Sequence, residues 1–204
     1  KVFSTNTNAT IRNNSTIYSR IIRFTYGSGS KTNPYLIRNE ADMKALSDIT
    51  LSDHLAGIYF KVEDGVKTLD LTLEGLDFVR IGHNATRPFR GGFDGNGVSI
   101  ILGTELAGSD YVGLFGFLGI GSEIKNITLE GNLNGRDRIG ALAGEAQSAI
   151  VSDVFNHATV NGRQYVGGLI GVISDTKVSQ SYNMAPVFGS SRDIGGIVGW
   201  GQRS

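Results

Sequence analysis

The sequence predicts an all-β fold, a parallel β-helix or β-solenoid with coils of about 27 residues and a short helix near the N-terminus, and three observations predict it. The first is a recurring word: Val112-Gly-Leu-Phe-Gly116, Ile139-Gly-Ala-Leu-Ala-Gly144, Val166-Gly-Gly-Leu-Ile-Gly171 and Ile194-Gly-Gly-Ile-Val-Gly199. Its starts lie 27, 27 and 28 residues apart, and a period in that range marks stacked structural units. The second is a glycine column, Gly108, Gly135, Gly162 and Gly189, at a constant 27-residue step. The third is the coincidence of apolar and small positions between those words. Ile127 aligns with Val154, and Leu133 with Val160 and Val187, while Gly131, Ala158 and Ala185 form a small-residue column.

Residue types fix the elements of the repeat. Ile124–Leu129 and Ala158–Asn161 show the short, β-branched alternation of half-buried strands. Flanking Gly, Asn, Asp and Ser suit positive-φ corners and side-chain-to-backbone turns. Glycine makes up 29 of 204 residues, about twice the usual share, which weighs against helix over residues 112–204. The Gly-rich word reads as an inward strand whose Leu or Ile fills the bore while its Gly admits close backbone approach. Right-handed winding is the preferred expectation.

The first half is organised differently. Residues 1–26 read as a polar lead-in followed by a strand over Ser19–Tyr26. Residues 27–107 read as a capping region with irregular first coils, and 108–204 as the repeat coils. Gly27–Pro34 is a turn-rich connector and Tyr35–Ile37 a short strand. Asn39 is placed to cap a helix over Glu40–Ser47, whose acidic first turn complements the helix dipole. Ala41, Met43, Ala45 and Leu46 form its expected buried face. Tyr59–Val62, Leu69–Leu73, Phe78–Ile81 and Val98–Leu102 are further expected strands. Phe93-Asp-Gly-Asn-Gly97 reads as a tight Asx-type turn. Only five residues follow Gly199, so the solenoid is expected to continue into further repeats or domains of the same polypeptide, with Trp200 folding over Ile197 or Val198 at the open end.

The words of the first half, read in order, resemble the GLUG-repeat family of bacterial surface and secreted proteins. They are Gly-x-Gly-x-x-x-Asn-Pro-Tyr-Leu-Ile (27–37), Tyr59-Phe-Lys61, Pro88-Phe-Arg-Gly91 and Phe93-Asp-Gly-Asn-Gly97, followed by the Gly-rich repeats. The resemblance covers roughly residues 27–204, and the usual Gly-Leu-Val-Gly is altered to Gly-Ala-Leu-Ala-Gly at 140–144. That family includes adhesins and the non-catalytic regions of some immunoglobulin A-degrading metallopeptidases. The resemblance implies an extracellular β-helical module and carries no catalytic residues with it.

Composition narrows the function classes. The formal net charge is zero, which points away from nucleic acid and anionic membranes. No apolar run approaches the roughly 20 residues of a bilayer span. Absence of cysteine removes disulfides, thiolate metal sites and cysteine nucleophiles. His54, His83 and His157 lack metal-ligand spacing, and Asp94-Gly-Asn-Gly97 lacks the acidic ladder of a calcium loop, so neither metal nor cofactor is expected.

A surface strip is the candidate ligand site. Arg136 and Arg163 are expected one strand spacing apart, close to Asp137 and flanked by Tyr111 and Tyr165, a set suited to a host glycan or an acidic protein ligand. No catalytic residues are assigned. Of the acids in the repeats, only Asp153 and Asp175 are expected to approach one another, short of the paired carboxylates of glycoside hydrolysis. The expected function is therefore a non-catalytic, secreted or surface module of a larger bacterial protein, serving adhesion, ligand binding or spacing. The alternatives are a substrate-recognition appendage of a secreted protease and a β-helix polysaccharide-degrading enzyme.

Overall fold

A computed structural model of the chain describes residues 24, 26–103 and 108–202. The expected strand over Ser19–Tyr26 lies almost wholly outside the described residues. In chain order the elements are β1 (Tyr35–Ile37), α1 (Glu40–Ile49), β2 (Tyr59–Val62), β3 (Thr68–Asp70), β4 (Gly92–Leu102), β5 (Phe115–Leu118) and β6 (Glu123–Asn134). Then follow β7 (Asp137–Ile139), β8 (Ala143–Gln147), β9 (Ile150–Asn156), β10 (Thr159–Gly162), β11 (Gln164–Gly167) and β12 (Ile170–Ser174). The last are β13 (Lys177–Ser179), β14 (Tyr182–Asn183), β15 (Val187–Gly189), β16 (Ile194–Gly195) and β17 (Val198–Gln202).

Strand pairing between successive coils is parallel throughout, so the chain is a parallel β-solenoid of about six turns. One column runs through all of them: Tyr35, Phe60, Phe93, Ile124, Val151 and Val178 stand in register. The middle four are buried, and each contributes about 1.5–3 kcal/mol by leaving water. Other faces repeat the pattern. Leu133, Val160 and Val187 are stacked, as are Ile139, Val166 and Ile194. Phe115, Ala143, Ile170 and Val198 form a further column. Gly162 and Gly189 are direct register partners, as the glycine spacing predicts.

The corners have a common cause. Three columns of residues take left-handed φ: Asn126, Asp153 and Gln180; Gly121, Ser148 and Asp175; and Tyr111, Arg138, Tyr165 and Asp193. A left-handed residue reverses the local curl of the backbone, which turns the strand into the next face of the coil. Asn, Asp and Gly suit that conformation, but Tyr and Arg do not.

The glycine of each word makes a second adjustment. An added Cβ on Gly171 would stand 2.6 Å from the Gly144 carbonyl oxygen and the Ile139 amide, and 2.7 Å from the Tyr165 carbonyl oxygen. The backbone bends there, so Ile170 and Ile173 both pack against the core while Val172 lies outside it. By the same slip Trp200 stands beside Val172 on the outer face, with its ring edge-on to Tyr165 at 6.2 Å. It does not plug the bore over Ile197 or Val198, because Gly199 shifts the strand's phase by one residue.

Several elements depart from the sequence expectation. Leu69–Leu73 is cut to β3 because Asp70 accepts hydrogen bonds from the Thr72 amide and hydroxyl, forming an Asx turn. Phe78–Ile81 forms no strand; only Ile81 bridges, to Phe115. Phe93–Gly97 lies inside β4 and keeps the expected Asx turn, in which Asp94 Oδ1 accepts the Asn96 amide at 2.9 Å, but the turn is built as a bulge where the register jumps from Asp94–Lys125 to Val98–Ile127. Helix α1 carries the Asn39 cap, whose Oδ1 accepts the Asp42 amide at 3.0 Å. Ala41 is exposed rather than buried, and Asp42 takes the inner position because Arg38 pairs with it at 2.9 Å.

A buried polar column was not anticipated. Leu69, Ile100 and Leu129 are followed in the same register by Asn156 and Asn183. Asn156, fully buried, donates to the Ala158 carbonyl and to Asn183 Oδ1 and accepts the Ala158 amide. Asn183 repeats the clasp on Ala185. Every polar atom of the Asn156 amide is thereby matched, as burial requires.

Substitutions at two positions test this packing. Leu169 is fully buried in the core cluster, so Leu169→Ala should lower unfolding free energy by about 2–5 kcal/mol, and Leu169→Asp should abolish cooperative folding. Gly171→Ala should lower the melting temperature despite adding one methyl group, because the groups it meets are backbone. Thermal and denaturant melts measure both.

Candidate functional site

The candidate residues separate into two neighbouring columns. The first is an ion ladder. Arg136 reaches back one coil to Asp110, with Nε–Oδ1 at 2.9 Å and Nη2–Oδ2 at 2.7 Å. Arg163 makes the same backward reach to Asp137, through Nε–Oδ1 at 2.8 Å and a second contact between Nη2 and Oδ2. Asp137 is also 4.0 Å from Arg136 Nε, and Gln164, its register partner, donates to it at 3.3 Å. The ladder stops at the next coil, where Gln164 and Ser190-Ser191 occupy the places of acid and arginine. Both guanidinia are about half exposed, yet their donor edges are engaged by carboxylates.

The Arg163 contact holds the Asp137 carboxyl below its ordinary value, against the upward pull of burial. A carboxyl held low in the fold takes up protons less readily than in the unfolded chain. Its stabilising contribution is therefore present above the ordinary aspartate value near 3.8 and is lost as pH falls through the lower folded value.

The second column is a π–cation stack. Tyr111, Arg138, Tyr165 and Asp193 share the left-handed corner position. The Arg138 guanidinium lies over the Tyr111 ring at 5.2 Å and over the Tyr165 ring at 5.5 Å, held between tyrosines of the preceding and following coils. Arg192, one residue before the corner, covers Tyr165 from the next coil at 5.9 Å and donates to its hydroxyl at 3.3 Å. The adjoining column on β5, β8, β12 and β17 holds Phe117, Glu145, Val172 and Trp200 in register. Phe117 packs on Tyr111 and Trp200 on Tyr165. Burial pushes the Glu145 carboxyl up, and Arg138 opposes that shift only in part.

Tyr111 and Tyr165 thus flank Arg138, not the Arg136–Arg163 pair, and Arg138 is the residue that sequence reasoning passed over. Its signal was the alternation Tyr111, Arg138, Tyr165 at 27-residue steps, two places after the strip's arginines. Asp110, the acid that engages Arg136, was likewise left out of the strip, and its signal was its place 27 residues before Asp137. Asp153 and Asp175 occupy different corner columns of the coil. Among the described residues no group of three His, Cys, Asp or Glu is placed to hold a metal ion, and no helix is long and apolar enough to cross a membrane.

Comparison with known proteins places the fold. The chain superimposes on a crystal structure described as "a putative immunoglobulin A1 protease" from Bacteroides ovatus, with a TM-score of 0.63 over 86% of this chain and 64% of that one. The two share 20% identity, so the likeness concerns architecture. Over 115 residues the chain is 33% identical to a "Putative Gly-rich membrane protein" of Evansella cellulosilytica. That match covers 53% of this chain and 12% of the relative, so the chain spans a small part of the relative's length. No family model matches the chain.

The ion ladder yields a pH prediction. Wild type should lose stability as pH falls below about 3.8, the ordinary value for Asp137. Asp137→Asn should be less stable at pH 7 and show a shallower loss between pH 5 and pH 2, estimates set by the usual carboxylate range. Denaturant melts across that range measure the difference.

Proposed function

We propose that this chain is a non-catalytic, extracellular ligand-binding module of a larger bacterial surface protein, of the GLUG-repeat type. The observation that carries this reading is the strip on the outer face of a rigid solenoid, where Tyr111, Tyr165, Arg136, Asp137 and Arg163 are held coil by coil. A side chain fixed by a neighbour on the next coil loses little freedom when a ligand arrives, which favours binding. Asp110 and Asp137 are each bound to an arginine of the following coil, an arrangement that orients the surface. The partner class is a host glycan or a protein ligand.

The GLUG assignment rests on the Gly-rich words and Phe93–Gly97. The surface location draws on the relative described as a Gly-rich membrane protein. The neighbour described as an immunoglobulin A1 protease favours a second reading, a recognition appendage of a secreted protease. Both readings make this chain the part that binds.

A glycan array combined with immobilised immunoglobulin A tests them together. Saturable binding with no change in the ligand's mass supports the module, and preference for immunoglobulin A supports the appendage. Release of shortened glycan or peptide products by the purified chain would show that it is an enzyme.

A further inference from the structure

The arginines of the strip are not equivalent. Arg136 and Arg163 each present their donor edges to an aspartate of the preceding coil. Arg138 is different. Its Nε stands 2.9 Å from Glu145 Oε2 but off the hydrogen-bond direction. Among the described residues its two terminal nitrogens have no hydrogen-bond acceptor, while the Tyr111 and Tyr165 rings hold the guanidinium plane from either side. A planar guanidinium fixed in orientation, ion-paired to Glu145 at Nε and with its two terminal nitrogens still open, is suited to a further carboxylate. Arg192 offers a second guanidinium on the far side of Tyr165, more exposed at 69%, with Asp193 3.5 Å from its Nε.

The spacing of these two cations selects the ligand. They lie two coils apart, about 10 Å along the solenoid axis at the usual strand separation. One coil step is close to the length of one sugar ring in a linear polysaccharide, so two steps match a disaccharide. Resting on the module reading above, we propose that this face binds a linear acidic glycan along the axis. Its carboxylates recur on every second sugar and are gripped by Arg138 and Arg192, and the intervening uncharged sugar lies at the coil of Tyr165 and Val172, with Trp200 beside Arg192 on the next coil.

The chemistry of the face disfavours an acidic peptide. A peptide gains affinity chiefly by adding a strand to a sheet edge. Here β11 is paired on both sides by β7 and β16, and β12 by β8 and β17, so backbone groups on the coil between the two arginines are already engaged. A glycan needs no such edge and uses aromatic rings and planar donors, which this face supplies. Between the two arginines the same columns offer Tyr165 and Val172, so a polymer charged at every sugar would leave its middle carboxylate without a cation, whereas one charged at alternate sugars would not.

Titration calorimetry of the full chain with hyaluronan oligosaccharides, which carry a carboxylate on every second sugar, tests the proposal. Wild type should bind them, and should bind carboxyl-reduced hyaluronan and oligogalacturonate about tenfold or more weakly. Arg138→Gln should lose about tenfold in affinity with its circular dichroism retained, whereas Lys177→Gln, on an exposed strand of another face, should bind as wild type. Should Arg138→Gln fold poorly, Arg192→Gln replaces it, since that side chain is mostly exposed and should weaken binding several-fold. Equal affinity for the carboxyl-reduced polymer, wild-type binding by the folded arginine variants, or equal binding of poly-glutamate would each overturn the proposal. Binding of some other array ligand without hyaluronan also overturns it and leaves the module reading standing. Cleavage of the oligosaccharide would instead remove the module reading.

Discussion

Every feature of this molecule depends on in-register hydrogen bonding between the backbones of successive coils. Parallel pairing across the described coils means that whatever one coil does, its neighbour must do at the same place. That condition makes unfavourable local geometry permissible. A non-glycine residue in the left-handed region costs on the order of 1–3 kcal/mol and persists only where surrounding structure determines it. Here Tyr111, Arg138 and Tyr165 share that conformation because the coils above and below fix their amides and carbonyls, as when the Tyr111 amide donates to the Asp137 carbonyl at 3.1 Å. Corner strain and inter-coil bonding are therefore one system.

The same condition builds the candidate site. Side chains that leave a corner in one coil are delivered directly over those of the next, so like meets like along each column. Where like would repel, the sequence alternates: tyrosine with arginine in one column, aspartate with arginine of the following coil in the other. The core obeys the rule with apolar residues until Asn156, where an amide satisfies itself by bonding across the turn to Ala158 and along the axis to Asn183. A buried amide there fixes the relative position of two coils more tightly than a leucine would, since a shift of one residue strands its donors.

Legibility followed repetition. The Gly-rich words located the coils over residues 112–199, and the pairs Ile127–Val154 and Leu133–Val160 were read correctly as stacked columns. Asn39 was legible because an N-cap is a local chemical device. In the first half, successive members of the long column are 25, 33 and 31 residues apart, and prediction there failed where a single coil offered nothing to align with. Phe78–Ile81 has the alternation of a strand, but Ile81 finds a partner only as an isolated bridge. Within the site, Arg136, Asp137 and Arg163 come together as the sequence suggests, whereas Tyr111 and Tyr165 flank Arg138 instead. Each arginine reaches back 26 residues instead of across, and left-handed tyrosine and arginine leave no compositional trace.

The directional Asn156–Asn183 bond and the ladders around it also set how the molecule bears load. Inter-coil hydrogen bonds run along the solenoid axis, so a pull between Phe24 and Gln202 tensions the coil junctions one after another, like links of a chain. Such a structure yields at its weakest junction first, and each yielded coil releases a length of backbone while the remaining coils stay intact. The broad junction between β4 and β6, with eight register pairs in all on either side of its bulge, stands as the strongest link beside the shorter pairing of β1 with β2. A tether built this way would lengthen in discrete steps under flow or traction, absorbing work at each step rather than transmitting it whole to whatever it holds.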